Sequence, residues 1–265
     1  MNIKQSLLLV LPPALAFAMA CGDTTKTVAQ GPGGTTPDAG TTPAGDDDDF
    51  AGPGDDDDVD SGGATNQCTA AAKTFLYPQT TVSKAEVKIL GTESGVTKIY
   101  VDASAGGSMA SSKNPRVYLK MDGTKAELSD VDAAKSTEWD IAFKRVDIFT
   151  NGGDAGPGKG AGLVVKKAFD AVTSADATGL AQEKFFTGDC EPQKDAAGFV
   201  LTTFSDWYDY DQETHIPTPF LDRTLVMKSA DGTLYKIALL AYQGKNDGST
   251  TGGATGQYVF QVKKL

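Results

Sequence analysis

From Cys68 onward, apolar residues recur at every second position, the period of a strand with one face on a core, rather than along a 3.6-residue helical stripe. Ile99 and Val101 alternate within Lys98-Ile99-Tyr100-Val101-Asp102, and Val117, Leu119 and Met121 follow. Trp139, Ile141 and Phe143 alternate against Asp140, Ala142 and Lys144. The phase then slips at Arg145 and Val146 before Ile148, which predicts a β-bulge. Tyr235, Ile237, Leu239 and Ala241 form a further series, and Tyr258, Phe260 and Val262 close the chain. Asp122-Gly123, Asp231-Gly232 and Thr92-Glu93-Ser94-Gly95 supply turn chemistry between the runs. The clearest hairpin joins Thr224–Met227 to Leu234–Tyr242 around Asp231-Gly232. Helical signal amounts to a turn or two at Ala126–Ala134 and Ala168–Ala175. The expected fold class is all-β: a single, mainly antiparallel domain over residues 68–265.

The pattern ahead of it is different. Met1 to Ala20 reads as a secretory signal, with Lys4 as its positive start, Leu7–Leu11 and Ala14–Phe17 as its apolar stretch, and small residues before Cys21. Pro12-Pro13 and the short apolar length argue against a permanent membrane-spanning helix. Ala18-Met19-Ala20-Cys21-Gly22 resembles a bacterial lipobox, with Ala18 where a bulkier residue is usual. The resemblance implies a diacylated Cys21 as the mature N-terminus and an anchor in a membrane. Cleavage as an ordinary signal, leaving a free thiol, is the alternative.

Composition sharpens this division. The formal charge is −11, and residues 22–67 carry eleven Asp against the single Lys26. The acidity therefore belongs to this Gly-, Pro-, Thr- and Asp-rich segment, and the β domain is close to neutral. Residues 21–67 read as a lipidated Cys followed by a disordered linker, since Val28, Phe50 and Val59 are its only large apolar side chains. Its Asp runs repel and extend the chain. Asp56-Asp57-Asp58-Val59-Asp60-Ser61 lacks the Gly and the distal Glu of a calcium loop. Overall acidity argues against a nucleic-acid partner.

Three cysteines leave an even pair once Cys21 is acylated, and in an oxidising envelope compartment Cys68 and Cys190 are expected to form a disulfide. Gly153-Asp154-Ala155-Gly156-Pro157-Gly158-Lys159-Gly160 approaches a phosphate-binding loop, but Gly160 stands where the magnesium-holding Ser or Thr belongs. It reads as a glycine-rich β-connection.

A single His excludes a multi-His metal site within one chain, and no nucleophile–base pair is in view, so an enzyme is not expected. That residue, His215, follows Trp207-Tyr208-Asp209-Tyr210 and opens His215-Ile216-Pro217-Thr218-Pro219, a proline-stiffened loop. Haem iron takes His, Tyr, Met or Cys axially, and aromatic surfaces cover the porphyrin. On these residues alone, His215 is either such a ligand or an ordinary surface residue.

The run Trp139-Asp140-Ile141-Ala142-Phe143-Lys144-Arg145-Val146-Asp147-Ile148-Phe149-Thr150-Asn151, leading into Gly156-Pro157-Gly158-Lys159-Gly160, resembles the signature of the HmuY family of haem-binding outer-membrane lipoproteins. Ile99-Tyr100-Val101-Asp102-Ala103-Ser104 resembles the family's opening strand, and residues 223–237 its C-terminal hairpin. The resemblance spans about residues 97–265. It implies an all-β fold that holds haem between projecting loops, and a role in capturing haem at the cell surface of a Gram-negative bacterium for an outer-membrane uptake receptor. The loops that carry the family's two His, or Met in some relatives, correspond to residues 211–219 and 187–195 here. The first contains His215, displaced by a few residues; the second contains neither His nor Met, and Cys190 is its one soft ligand. What the resemblance leaves as a haem site is His215 as the candidate iron ligand, with Tyr210, Tyr208, a Met or water as the second ligand, or a pair of His215 side chains across a dimer. The alternative is a surface interaction module that has lost haem binding.

Overall fold

The structure is a computed structural model that describes residue 68, residues 78–195 and residues 198–265. The signal segment, Cys21 and the acidic linker lie outside the described residues. Among the described residues twelve strands follow one another: β1 (Val87–Glu93), β2 (Val96–Asp102), β3 (Val117–Leu119), β4 (Lys125–Ala126), β5 (Ile141–Lys144), β6 (Asp147–Thr150), β7 (Ala161–Val165), β8 (Tyr208–Tyr210), β9 (Pro217–Pro219), β10 (Thr224–Lys228), β11 (Leu234–Ala241) and β12 (Gln257–Lys264). The one α-helix among the described residues, α1 (Asp130–Ala133), is capped by Ser129, whose hydroxyl accepts from the Asp132 N–H. Short 3₁₀ turns at Phe169–Ala171 and Ser174–Asp176 occupy the second stretch of weak helical signal.

All pairings between strands are antiparallel. They build a six-stranded sheet in the order β1-β2-β12-β11-β10-β7, a four-stranded sheet β4-β3-β5-β6 and a ribbon β8-β9. The two larger sheets share one core. Ile99, Val101, Leu225, Met227, Ile237, Leu239, Phe260 and Val262 come from the large sheet, and Val117, Leu119, Ile141, Phe143 and Ile148 from the small one. Phe143 and Phe260 stack across the interface with centroids 5.5 Å apart. The small sheet is buried on its other face too, where Tyr118, Ala142 and Phe149 meet Trp139, Phe185 and Phe186. That double burial explains why Tyr118, Ala142 and Phe149 are buried on a face that would carry polar side chains if it met solvent.

Two local expectations are corrected. The phase slip after Lys144 is a two-residue hairpin turn, with Lys144 paired to Asp147, instead of a bulge. Arg145 takes φ +53°, and its position is fixed from three sides. Its N–H donates to the Ala103 carbonyl, its carbonyl accepts from the Tyr258 hydroxyl, and its Nη1 donates to Thr255. These tertiary bonds hold a non-glycine residue in the left-handed region. The second correction concerns Trp139, which precedes β5 and belongs to the second core, whereas Ile141 and Phe143 face the first. Its indole Nε1 donates to the Ala133 carbonyl, which pins it under α1. True register shifts occur at Ile89/Gly91 and at Leu239/Ala241. The latter leaves Ala241 with Tyr100 and Val259 in a third cluster and turns the next residue, Tyr242, into the main core.

The glycine-rich stretch is a β-connection between β6 and β7 that wraps the side chain and backbone of Asn151. Asn151 Nδ2 donates to the Ser136 and Trp139 carbonyls, and its Oδ1 accepts from the Gly158 N–H. A Cβ on Gly160 would fall 2.4 Å from the Asn151 carbonyl oxygen, so no larger residue fits. Asp140 completes the frame: its carboxylate accepts from the N–H groups of Met121 and Ala230, joining two distant turns. Burial, opposed by those two bonds, raises its pKa above the usual carboxylate value.

Candidate functional site

β8 and β9 pair as Tyr208 to Pro219, Asp209 to Thr218 and Tyr210 to Pro217. Prolines at both ends of β9 cannot donate to a ladder, so this hairpin stays a two-stranded ribbon. Its tip, residues 211–216, is closed by Asp211. The Asp211 Oδ1 accepts from the N–H groups of Glu213 and Thr214, and its carbonyl accepts from the His215 N–H at 2.9 Å. The amide bonds to its carboxylate lower the Asp211 pKa, that from Thr214 most strongly. His215 sits at φ +58°, a region that His tolerates better than most side chains. Its Nδ1 lies 3.1 Å from the Tyr210 hydroxyl, and no hydrogen bond to Nε2 is found among the described residues.

Tyr210 and His215 open onto a cleft of about 440 Å³. Phe199, Val146 and Pro217 supply apolar wall, and Ser108 and Ser111 line it from the segment between β2 and β3. The β5–β6 turn contributes Lys144, Arg145 and Asp147. Tyr242 completes the lining; its side chain is 2% exposed and its hydroxyl has no hydrogen-bond partner among the described residues.

The electrostatics follow from burial. Lys144 is pushed down to about 8, first by burial and then by the like charge of Arg116. Asp147 is raised by burial, against the pull of Arg116 and Lys144. Burial lifts Tyr242 to about 12, so its phenol stays protonated at neutral pH.

The residues expected from sequence are distributed unevenly. Tyr210 and His215 meet in the cleft. Tyr208 does not line it; its ring packs 4.5 Å from that of Trp207 at the edge of the main core, and burial pushes its hydroxyl to about 12. Cys190 is bonded to Cys68, which removes the one soft ligand of residues 187–195. Among the described residues, no group of three or more His, Cys, Asp or Glu is arranged to hold a metal ion, and no helix is long and apolar enough to cross a membrane.

Sequence reasoning missed Lys144, Arg145, Tyr242 and the two serines. Reading the phase slip as a hairpin turn would have exposed Lys144-Arg145-Val146-Asp147 as a loop tip. For Tyr242 no sequence signal existed, because the strand register that turns it inward is a tertiary outcome.

Against known proteins, the HmuY protein family model matches residues 96–258. No curated protein matches. Similar solved structures include a HmuY-like protein from Bacteroides vulgatus at 20% identity and TM-score 0.42, covering 67% of this chain and 97% of that one. The apo HmuY analog of Tannerella forsythia has 16% identity and TM-score 0.41, covering 69% and 98%. Apo PinO from Porphyromonas gingivitis has 16% identity and TM-score 0.36, covering 69% and 96%.

Proposed function

The chain belongs to the HmuY family, and from that premise we propose that it is a haem-binding surface lipoprotein, anchored through Cys21, that captures haem and passes it to an outer-membrane uptake receptor. The chemistry is reversible ligation and shielding, with no bond made or broken in the haem. The observation that carries this reading is the braced His215 at the mouth of a cleft lined by aromatic rings and one unpartnered buried hydroxyl.

Each residue has a part in that chemistry. In the tautomer where Nδ1–H donates to the Tyr210 hydroxyl, the His215 Nε2 lone pair is free for iron, and the hydrogen bond fixes the ring's orientation. Haem iron accepts such an axial nitrogen. Phe199, Val146 and Pro217 offer apolar surface to the porphyrin. Tyr208 serves indirectly, holding the ribbon against Trp207. A protein with one His cannot supply a bis-His pair from a single chain.

That same shortage favours a second reading. His215 is exposed, and no other His, Met or Cys lines the cleft. The domain would then be an interaction module on an acidic stalk, its aromatic cleft contacting a partner.

A spectral titration of the purified protein with ferric haem separates the two. The expected result is a saturable one-to-one Soret shift, lost in His215→Ala and altered in shape by Tyr210→Phe. A shift that survives His215→Ala removes His215 as ligand while keeping the carrier. No saturable shift in the wild type leaves the interaction module.

A further inference from the structure

His215 offers iron one axial nitrogen and leaves the other side of the metal open. The described residues hold five further candidates of the sulfur type: Cys68, Cys190, Met109, Met121 and Met227. The two cysteines are bonded to each other. Met121 and Met227 are packed in the main core, 4% and 0% exposed. The Tyr210 hydroxyl is engaged by the His215 Nδ1, and Tyr208 packs on Trp207. Met109 is the one thioether left at the surface, 95% exposed.

A single exposed Met is ordinary, and its position is what gives this one meaning. Ser108 and Ser111, which flank it in the chain, line the same cleft as His215. The segment has a fixed base and a free apex. Asn114 Nδ2 donates to the Ala105 and Ala110 carbonyls at 2.9 and 3.2 Å, and the Ser111 hydroxyl donates to the Ser108 carbonyl. Between those ties Ala105, Gly106 and Gly107 run at φ +49°, +75° and +85°, a left-handed bend suited to glycine. A Cβ on Gly107 would meet nothing within 4 Å, so the apex stands in open space. The Met side chain is unbranched and has three rotatable bonds, so its sulfur can turn toward the cleft while the base of the loop stays in place.

We propose that Met109 is the second axial ligand, its Sδ donating a lone pair to the iron on the porphyrin face that His215 leaves open. The inference rests on the haem-carrier reading and supplies the other half of the coordination. His215 comes from the tip of the β8–β9 ribbon and Met109 from the segment between β2 and β3, so the pair reaches the cleft from separate elements, as ligands on opposite faces must. Met109 lies outside both stretches that correspond to the ligand loops of HmuY proteins, residues 187–195 and 211–219. A third loop thus takes over the role that residues 187–195 lost when Cys190 was committed to the disulfide. A neutral thioether beside one imidazole also raises the reduction potential of the haem.

The test is the absorption spectrum and reduction potential of ferric haem on wild-type protein, Met109→Leu and Met109→His. Wild type is expected to show low-spin haem with the weak charge-transfer band, at the red end of the visible spectrum, that thioether ligation produces. Met109→Leu keeps the size and apolarity of an exposed side chain, so its melting temperature should not move. It should lose the band and bind ferric haem severalfold more weakly. Met109→His should give the spectrum of a bis-imidazole haem and a potential below that of wild type. A wild-type spectrum without the thioether band, or one unchanged in Met109→Leu, overturns the assignment and leaves the carrier standing. A Met109→His spectrum identical to that of Met109→Leu also overturns it, since residue 109 then does not reach the iron. No haem binding by wild type overturns both readings.

Discussion

Glu183 illustrates how far one residue can bind the fold to pH. It is buried, and its carboxylate accepts from the N–H and hydroxyl of Thr150 and from the N–H and hydroxyl of Thr203, joining β6 to the segment before the ribbon. Burial outweighs those four bonds and pushes its pKa from 4.5 up to about 7. A raised carboxylate pKa means that the folded state binds the proton more tightly than the unfolded chain. The associated stability is complete below about pH 4.5, is lost as pH rises, and is gone above about pH 7. The difference is about 3 kcal/mol. Urea midpoints at pH 5 and pH 8 should therefore fall more steeply with pH in wild type than in Glu183→Gln. Parallel pH dependences would refute the assignment. Asp140 and Asp147 shift in the same sense but are common to both proteins, so the comparison isolates Glu183.

Among the elements, the β8–β9 ribbon is the one whose function depends on its tip. Pairing between strands fixes its base, but Asp211 organises residues 211–216 and so sets where His215 points. Asp211→Ala should release the amides of Glu213 and Thr214, seen as faster hydrogen exchange at those two positions. Haem affinity should fall severalfold while the melting temperature moves little, since an exposed Asp contributes nothing to the core. Unchanged exchange at 213 and 214 would show that the proline-stiffened strand alone holds the tip. The β5–β6 hairpin is the complementary case. Its turn is held by Ala103, Thr255 and Tyr258, all remote in sequence, so its cationic tip is positioned by the main body of the domain.

At the scale of the whole molecule, the disulfide is the long-range constraint. Cys68 and Cys190 are separated by 122 residues, and closing so long a loop restricts the unfolded chain by about 5 kcal/mol in the entropy model. Replacing both by Ser should lower the urea midpoint by a large part of that amount. Haem binding by the folded fraction should persist, because neither Cys lines the cleft. Loss of haem binding with stability intact would mean that the loop at 187–195 belongs to the site after all. The family signature works at this scale as well. Trp139, Asp140, Arg145, Asn151 and the glycines around it are bonded to distant backbone groups, and of these only Arg145 lines the cleft. That signature specifies a scaffold, and a protein can keep it while changing its ligand loop.

Strand identity was legible in the sequence because side-chain alternation is a local property: Ile99 and Val101, Ile237 and Leu239, and Tyr258, Phe260 and Val262 face the core as their spacing demands. The Asp231-Gly232 hairpin and the Cys68–Cys190 bond were legible for similar reasons, one from turn chemistry and the other from cysteine count and compartment. His215 and Tyr210 could be named because lone chemistry-bearing residues on a proline-marked loop stand out. The face of Trp139, the turn at Arg145, the inward Tyr242 and the meeting of Lys144 with His215 around one cavity could not be read the same way. Each depends on hydrogen bonds or register between segments far apart in the chain. A single residue of register decides which face a strand side chain takes, and only the packed sheets set that register.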